Sequence, residues 1–271
     1  WQLSEKGAKI VCCEQYHRYP ILAAGLSAIR QGLIGKPASL YISLLHDYHA
    51  ASLIRAALQI PPGENYTLRG LRQISPVVET DSRYGAVVDG RMQDAVRDQV
   101  HISFDSGKEA LYDFAPVQYR SFIRSRHLTV RGSSGEWTDT LVLHLDGNHL
   151  PQRTFLLPVI PARYQVLDSQ ALRDRRRNWM AELAPDTVQD EFAIASMLLD
   201  MGDYLRGGPS PYPLQNALEK VHGFVVVRVD LPHQVQQPFA FHMVGVVLAA
   251  DHGLFPAAHC LGDGQRVDFL S

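Results

Sequence analysis

The chain has few cysteines, no long apolar run and no excess of either charge, and each shortage removes a class of protein. Three cysteines, Cys12, Cys13 and Cys260, are too few for a multi-bridge framework. The adjacent pair cannot close an ordinary disulfide without strain, so a reducing, cytoplasmic setting is expected. The longest apolar stretch near the end, Phe239 to Ala250, falls short of the roughly 20 residues of a membrane helix and contains His242. No membrane partner is therefore expected. With 26 basic against 28 acidic residues the formal charge is -2, which provides no global field for nucleic acid. The one dense basic run, Arg173 to Arg177, is interrupted by Asp174 and reads as a solvated helix face.

Chemical signatures are missing too. No Gly-x-Gly-x-x-Gly lies between a strand and a helix, and no Gly-x-x-x-x-Gly-Lys-Ser/Thr occurs. The nearest approach, Gly32-Leu33-Ile34-Gly35-Lys36, follows a helix where a phosphate cradle would open one. A Gly-x-Ser-x-Gly elbow is also absent, which weighs against a Ser-His-Asp hydrolase.

What is present is an ordinary folded composition, 46% hydrophobic and 20% charged over 271 residues, enough for one large domain or two small ones. The first residue is Trp with no methionine or signal region before it, so the natural N-terminus is expected upstream. Leu3 to Ala8 reads as a helix end and Lys9 to Cys13 as a short buried strand. Pro20 suits a first helical turn, and Leu22, Leu26, Ile29 and Leu33 form one apolar stripe that ends at Gly32 and Gly35. Ala38 to Leu45 has strand character, and Ala50 to Gln59 returns to helical spacing before Pro61-Pro62.

From about residue 75 the spacing predicts antiparallel hairpins. Val100, Ile102 and Phe104 alternate, Asp105 to Lys108 turns, and Ala110, Tyr112 and Phe114 return. A second pair runs from His127 to Arg131, turns at Gly132-Ser133-Ser134-Gly135 and returns through Leu141, Leu143 and Leu145. Pro185-Asp186 opens a helix with the stripe Val188, Phe192, Ala195 and Leu199, and Pro213 opens Leu214 to Val221. The expected class is α+β, a large, mainly antiparallel (mixed) sheet with helices on one face. Residues 222–271 hold no sustained period and carry His222, His233, His242, His252 and His259 without a ligand pattern, so that tail is left unassigned and read as a candidate non-native segment.

The chemically richest cluster is His46-Asp47-Tyr48-His49, at a strand end and a helix mouth. Histidine titrates nearest neutral pH and can accept a hydroxyl proton while a hydride leaves the same carbon. A helix-capping or core histidine is the plainer alternative. A metal is not expected, because His-x-x-His at a strand end lacks the helical i, i+4 geometry and spacing offers no third ligand.

Several segments in order resemble one family. Glu14-Gln15-Tyr16-His17-Arg18-Tyr19-Pro20, Ile29 to Pro37, the histidine-bearing strand end, Arg131 to Glu136 and Tyr212 to Leu218 are similar to the glucose–fructose oxidoreductase / inositol dehydrogenase / MocA oxidoreductases, over residues 1 to about 221. The resemblance implies that residues 1–20 are the end of the N-terminal domain and its connecting strand, and that 21–221 form the C-terminal substrate and oligomerisation domain. The family's N-terminal Rossmann domain, with its Glu-Lys-Pro motif, would lie before Trp1. It further implies hydride transfer between NAD or NADP, bound mainly by that preceding half, and a hydroxyl carbon of a sugar, inositol or related polyol, in a homo-oligomer packed sheet to sheet.

On the same resemblance His49 matches the histidine that contacts the reacting hydroxyl, and Arg18 matches a position near the cofactor or substrate cleft. Many members carry Asp four residues before that histidine, where this chain has Leu45. Asp47 is one replacement, His46 as the reactive residue is another, and a non-catalytic sheet module for assembly or ligand binding is the alternative function.

Overall fold

The computed structural model describes residues 5–157, 163–164, 187–212, 216 and 246–249. Among these, an eight-stranded sheet runs in the order β11-β10-β9-β8-β2-β7-β6-β3, from β2 (Pro37–Ser43), β3 (Tyr66–Val78), β6 (Met92–Phe104), β7 (Glu109–Phe114), β8 (His127–Gly132), β9 (Gly135–Thr138), β10 (Leu141–Leu145) and β11 (Pro151–Phe155). The pairing of β2 with β7 is parallel and the other neighbours are antiparallel, so the sheet is mixed as expected. Outside it, β1 (Lys9–Cys12) pairs with β12 (Val246–Ala249), and β4 (Asp81–Ser82) with β5 (Gly85–Ala86) closes the tip of the long β3–β6 arm.

Period-two alternation sorts the two faces of the sheet. One cross-strand row, Leu68, Ile102, Ala110, Leu40, Val130, Trp137, Val142 and Thr154, lies on the face that holds the core. The adjacent row, Arg69, His101, Leu111, Tyr41, Thr129, Thr138, Leu141 and Phe155, lies on the other face. There Leu71, Leu111, Leu143, Leu145 and Phe155 are exposed.

Two helices supply the core's second layer. Helix α1 (Pro20–Arg30) starts at a proline whose missing N–H costs nothing in a first turn, and it buries Leu22, Leu26 and Ile29 of the expected stripe, while Leu33, its fourth member, lies past the helix end and is partly buried. Gly32 and Gly35, both at positive φ, follow the helix. Helix α2 (Asp47–Leu58) buries Ala50, Leu53, Ile54, Ala57 and Leu58 and stops at Gln59 in the left-handed region. A third helix, α3 (Thr187–Leu205), reaches the opening segment of the chain through side-chain contacts described below.

Three expectations are corrected. The strand returning from His127–Gly132 is β9, not Leu141 to Leu145. The turn at Ser133-Ser134 closes the hairpin at once, and β10 pairs with β9 instead. Hairpin structure begins at Tyr66, ahead of residue 75, where Gly70 and Arg72 interrupt the apolar alternation that Tyr66 and Leu68 begin on the inner face. Helix α3 buries Phe192, Ala193, Ser196, Met197 and Met201 while Leu199 is exposed, so its inner stripe runs one residue away from the expected one. The start at Pro185-Asp186, the side chain of Val188, and the residues of 213–271 other than 216 and 246–249 lie outside the described residues.

Core fit is tightest where α1 crosses β9. A Cβ added to Gly25 would overlap the indole of Trp137, a fully buried side chain whose Nε1 donates to the Asp139 carbonyl at 2.8 Å. Gly25→Ala should lower the unfolding free energy by about 1–3 kcal/mol, as for other overpacked cores. The shift of the urea midpoint at constant slope measures it, and an unchanged midpoint would show that the indole yields freely.

Candidate functional site

The end of β2 leads directly into α2, and this junction carries the histidine cluster. Leu45 is fully buried and anchors the junction in the core. His46 is the residue before the helix, and its backbone N–H donates to the Tyr119 hydroxyl at 2.9 Å. Burial, and after it the neighbouring Tyr16 phenol, pushes the Tyr119 hydroxyl well above the ordinary tyrosine range, so it stays protonated. The His46 ring lies 4.7 Å from the Tyr119 ring and meets Phe114 edge-on at 6.0 Å.

Asp47 opens α2 and accepts the Tyr48 N–H at 2.9 Å, a first-turn contact that suits the helix dipole. Its charge also acts on Tyr112, whose hydroxyl is raised beyond the ordinary range first by burial and then by Asp47 and the carboxylates of Asp98 and Asp113. Across β3 and β6, Arg72 grips Asp98 with two bonds at 2.6 and 2.8 Å.

His49 sits in the first turn of α2, its side chain only 7% exposed. The ring is held between two tyrosines, with centroids 4.3 Å from Tyr16 and 4.1 Å from Tyr48. Its Nδ1 faces the carboxylate of Glu14, with Oε1 at 2.9 Å and Oε2 at 3.0 Å. Glu14 lies two residues past β1, is itself fully buried, and accepts the Tyr16 N–H on Oε1 at 3.2 Å. Sequence spacing could not reveal this pair, since 35 residues separate its members.

Tyr16 to Arg18 form a short 3-10 turn between β1 and α1. Tyr16 also stacks on Tyr19 at 4.6 Å and lines a cleft of about 360 Å³ with Tyr19, Leu22, Leu44, Arg126 and Asp139. A second hollow of about 450 Å³ lies on the open face of the sheet, among Tyr41, His101, Leu111, Thr129 and Arg131.

Arg18 reaches α3. Its guanidinium donates to Asp200 of α3 at 2.7 Å, and the Tyr164 hydroxyl donates to the same carboxylate oxygen at 2.6 Å. Arg163 reaches both Asp200 and Asp203, which completes a network joining the opening turn to α3. Ser125, His127 and Asp139 also line up, Ser125 Oγ 2.6 Å from His127 Nε2 and Asp139 Oδ2 3.1 Å from Nδ1. His127 and Asp139 are about half exposed, so water screens them. Asp139 meanwhile ties the β8–β10 corner by accepting the Leu128 N–H and, on its carbonyl, the Trp137 N–H.

Comparison with family models finds no match, and none is found among curated protein sequences. Solved structures resemble the chain at low identity. An oxidoreductase from Agrobacterium radiobacter in complex with NAD+, L-tartaric acid and magnesium aligns over 76% of this chain and 58% of its own, at 12% identity and a TM-score of 0.47. An NAD binding oxidoreductase from Klebsiella pneumoniae aligns over 79% and 63%, at 14% identity and a TM-score of 0.46. A levoglucosan dehydrogenase in complex with NADH aligns over 56% and 51%, at 14% and 0.33. The chain thus spans from about half to just over three fifths of the length of these proteins.

The Arg18–Asp200 pair, with both side chains little exposed, should hold α3 against the rest of the domain. Arg18→Met should cost about 1.5–3 kcal/mol, the range for hydrogen bonds to charged groups, and should speed amide exchange in α3. Full stability in this variant would free Arg18 for a role in ligand binding.

Proposed function

We propose that this chain is the substrate-binding part of a nicotinamide-dependent oxidoreductase of the glucose–fructose oxidoreductase / inositol dehydrogenase / MocA type, acting on a hydroxyl carbon of a sugar, inositol or related polyol. The observation that carries the reading is His49, an imidazole held almost out of water between Tyr16 and Tyr48 at the junction of β2 and α2. The family resemblance assigns the hydroxyl-contacting histidine to this position. Tyrosine faces suit the C–H surface of a sugar ring, and their hydroxyls can meet its polar edge.

Neither α1 nor α2 is opened by a glycine-rich turn, since Tyr19-Pro20 and His46-Asp47 stand at their starts. The described residues therefore do not fit the cofactor's pyrophosphate, a task the resemblance gives to the preceding half. NAD or NADP bound there would exchange the hydride. This chain's own part is to orient the polyol and to take or return the hydroxyl proton at His49, with Asp47 and His46 beside it at the junction. No helix among the described residues is long and apolar enough to cross a membrane.

The open sheet face supports a homo-oligomer in which a second copy covers it. Two ion pairs are made within the face, Arg97 with Asp113 and Arg131 with Glu136. Leu71, Leu111, Leu143, Leu145 and Phe155 remain as apolar area for a partner. Light scattering should read at least a dimer, and Leu111→Arg should shift it to monomer. A monomeric parent chain would overturn this assembly.

The proton role is tested in the protein that carries the nucleotide-binding half, with sugars and polyols followed by nicotinamide absorbance. His49→Ala should lower turnover about a hundredfold or more with cofactor affinity nearly unchanged. Unchanged turnover would make His49 structural, and His46→Ala and Asp47→Ala beside it show whether the proton is handled elsewhere in the cluster.

A further inference from the structure

The family pattern places a carboxylate four residues before the reacting histidine, and this chain has Leu45 there, wholly inside the core. Asp47 makes a different contact, its Oδ1 accepting the Tyr48 N–H at the helix start. Glu14 meets the requirement from another part of the chain. Both of its oxygens lie within 3.0 Å of His49 Nδ1, and the Tyr16 N–H holds one of them.

We infer that Glu14, in the segment after β1, is the positioning residue of His49. The inference rests on the reading of His49 as the proton acceptor and donor. A carboxylate offers only acceptors, so the ring nitrogen facing it carries the proton. Nδ1 is thereby the N–H, and Nε2 keeps the lone pair that a substrate hydroxyl would meet. Tyr16 and Tyr48 pack against the ring and limit its tilt, while the Glu14 contact sets the tautomer.

A carboxylate on the far nitrogen also stabilises the imidazolium that forms when Nε2 takes a proton, as it does in the serine protease triad. The arrangement has a further consequence for assembly of the whole enzyme. Glu14 lies two residues past β1, the strand that the family resemblance makes the link from the nucleotide-binding half. The orientation of the base is therefore tied to that link.

The test is made on this chain with nitrogen-15-labelled histidine at alkaline pH, the His49 signals being identified by their loss in His49→Gln. The parent chain should show His49 as a single tautomer with a protonated Nδ1 and a pyridine-type Nε2. Glu14→Ala should give a mixture of tautomers, and Glu14→Gln, whose amide oxygen still accepts, should restore the single form. A protonated Nε2 in the parent chain overturns the inference, and so does a parent-like spectrum in Glu14→Ala. The parent measurement decides the matter even where Glu14→Ala fails to fold.

In the protein with its nucleotide-binding half, Glu14→Ala should lower kcat about tenfold or more with KM little changed, and Glu14→Gln should recover part of the loss. Loss of the tautomer with turnover intact would leave the positioning in place and refute the acid/base role of His49. The two failures are thus told apart.

Discussion

A carboxylate with no access to water can remain in a folded domain only if its oxygens are satisfied, and the junction of β1, α1 and α2 is built around that requirement at Glu14. The partners are the His49 imidazole and the Tyr16 N–H. Each of them is fixed by an element that could not shift alone. Tyr16 begins the turn that leads into Pro20 and α1, and His49 rides on the first turn of α2, whose inner face is locked by Ala50, Leu53 and Ile54. Removing His49 would leave a fully buried carboxylate short of its imidazole partner, which is costly. The same arrangement that stabilises the junction therefore holds one imidazole in a single orientation.

The rest of the fold sets the stage for this junction. The parallel pairing of β2 with β7 and the antiparallel pairing with β8 put β2 inside the sheet, and Leu40 and Ile42 place its inner side against the helices. A strand held on both edges delivers its last residues to a defined point. Only one face is covered among the described residues, and the two faces differ in kind. The covered one is an apolar layer, whereas the open one mixes internally paired charges with separate leucines.

Much of this was legible in the sequence where a short-range period decides the structure. The α1 stripe, the α2 stripe and the β6–β7 hairpin all come from patterns within a dozen residues, and each lies where the spacing puts it. What was not legible depended on neighbours elsewhere. Strand β3 carries Gly70 and Arg72 at inner positions after Tyr66 and Leu68, so its apolar alternation is too short to read as a core strand. In α3 the small side chains of Ala193 and Ser196 face inward and Leu199 faces out, because the inner surface is chosen by what it meets and not by hydrophobicity alone.

The site shows the same division. The cluster His46-Asp47-Tyr48-His49 announced itself by composition, and the structure does bring those residues to one junction. Their separate tasks were hidden, because they depend on partners distant in sequence: Tyr119 for His46, Glu14 for His49. The family resemblance leads one to expect an acid four residues before His49, and the chain has Leu45 there. Three-dimensional contact nevertheless shows a carboxylate on the histidine's Nδ1, that of Glu14. An acceptor for an imidazole nitrogen is defined by a point in space beside the ring, and any chain segment that packs there can supply it. Leu45 serves the junction as an apolar anchor, and the carboxylate beside His49 comes from the segment after β1.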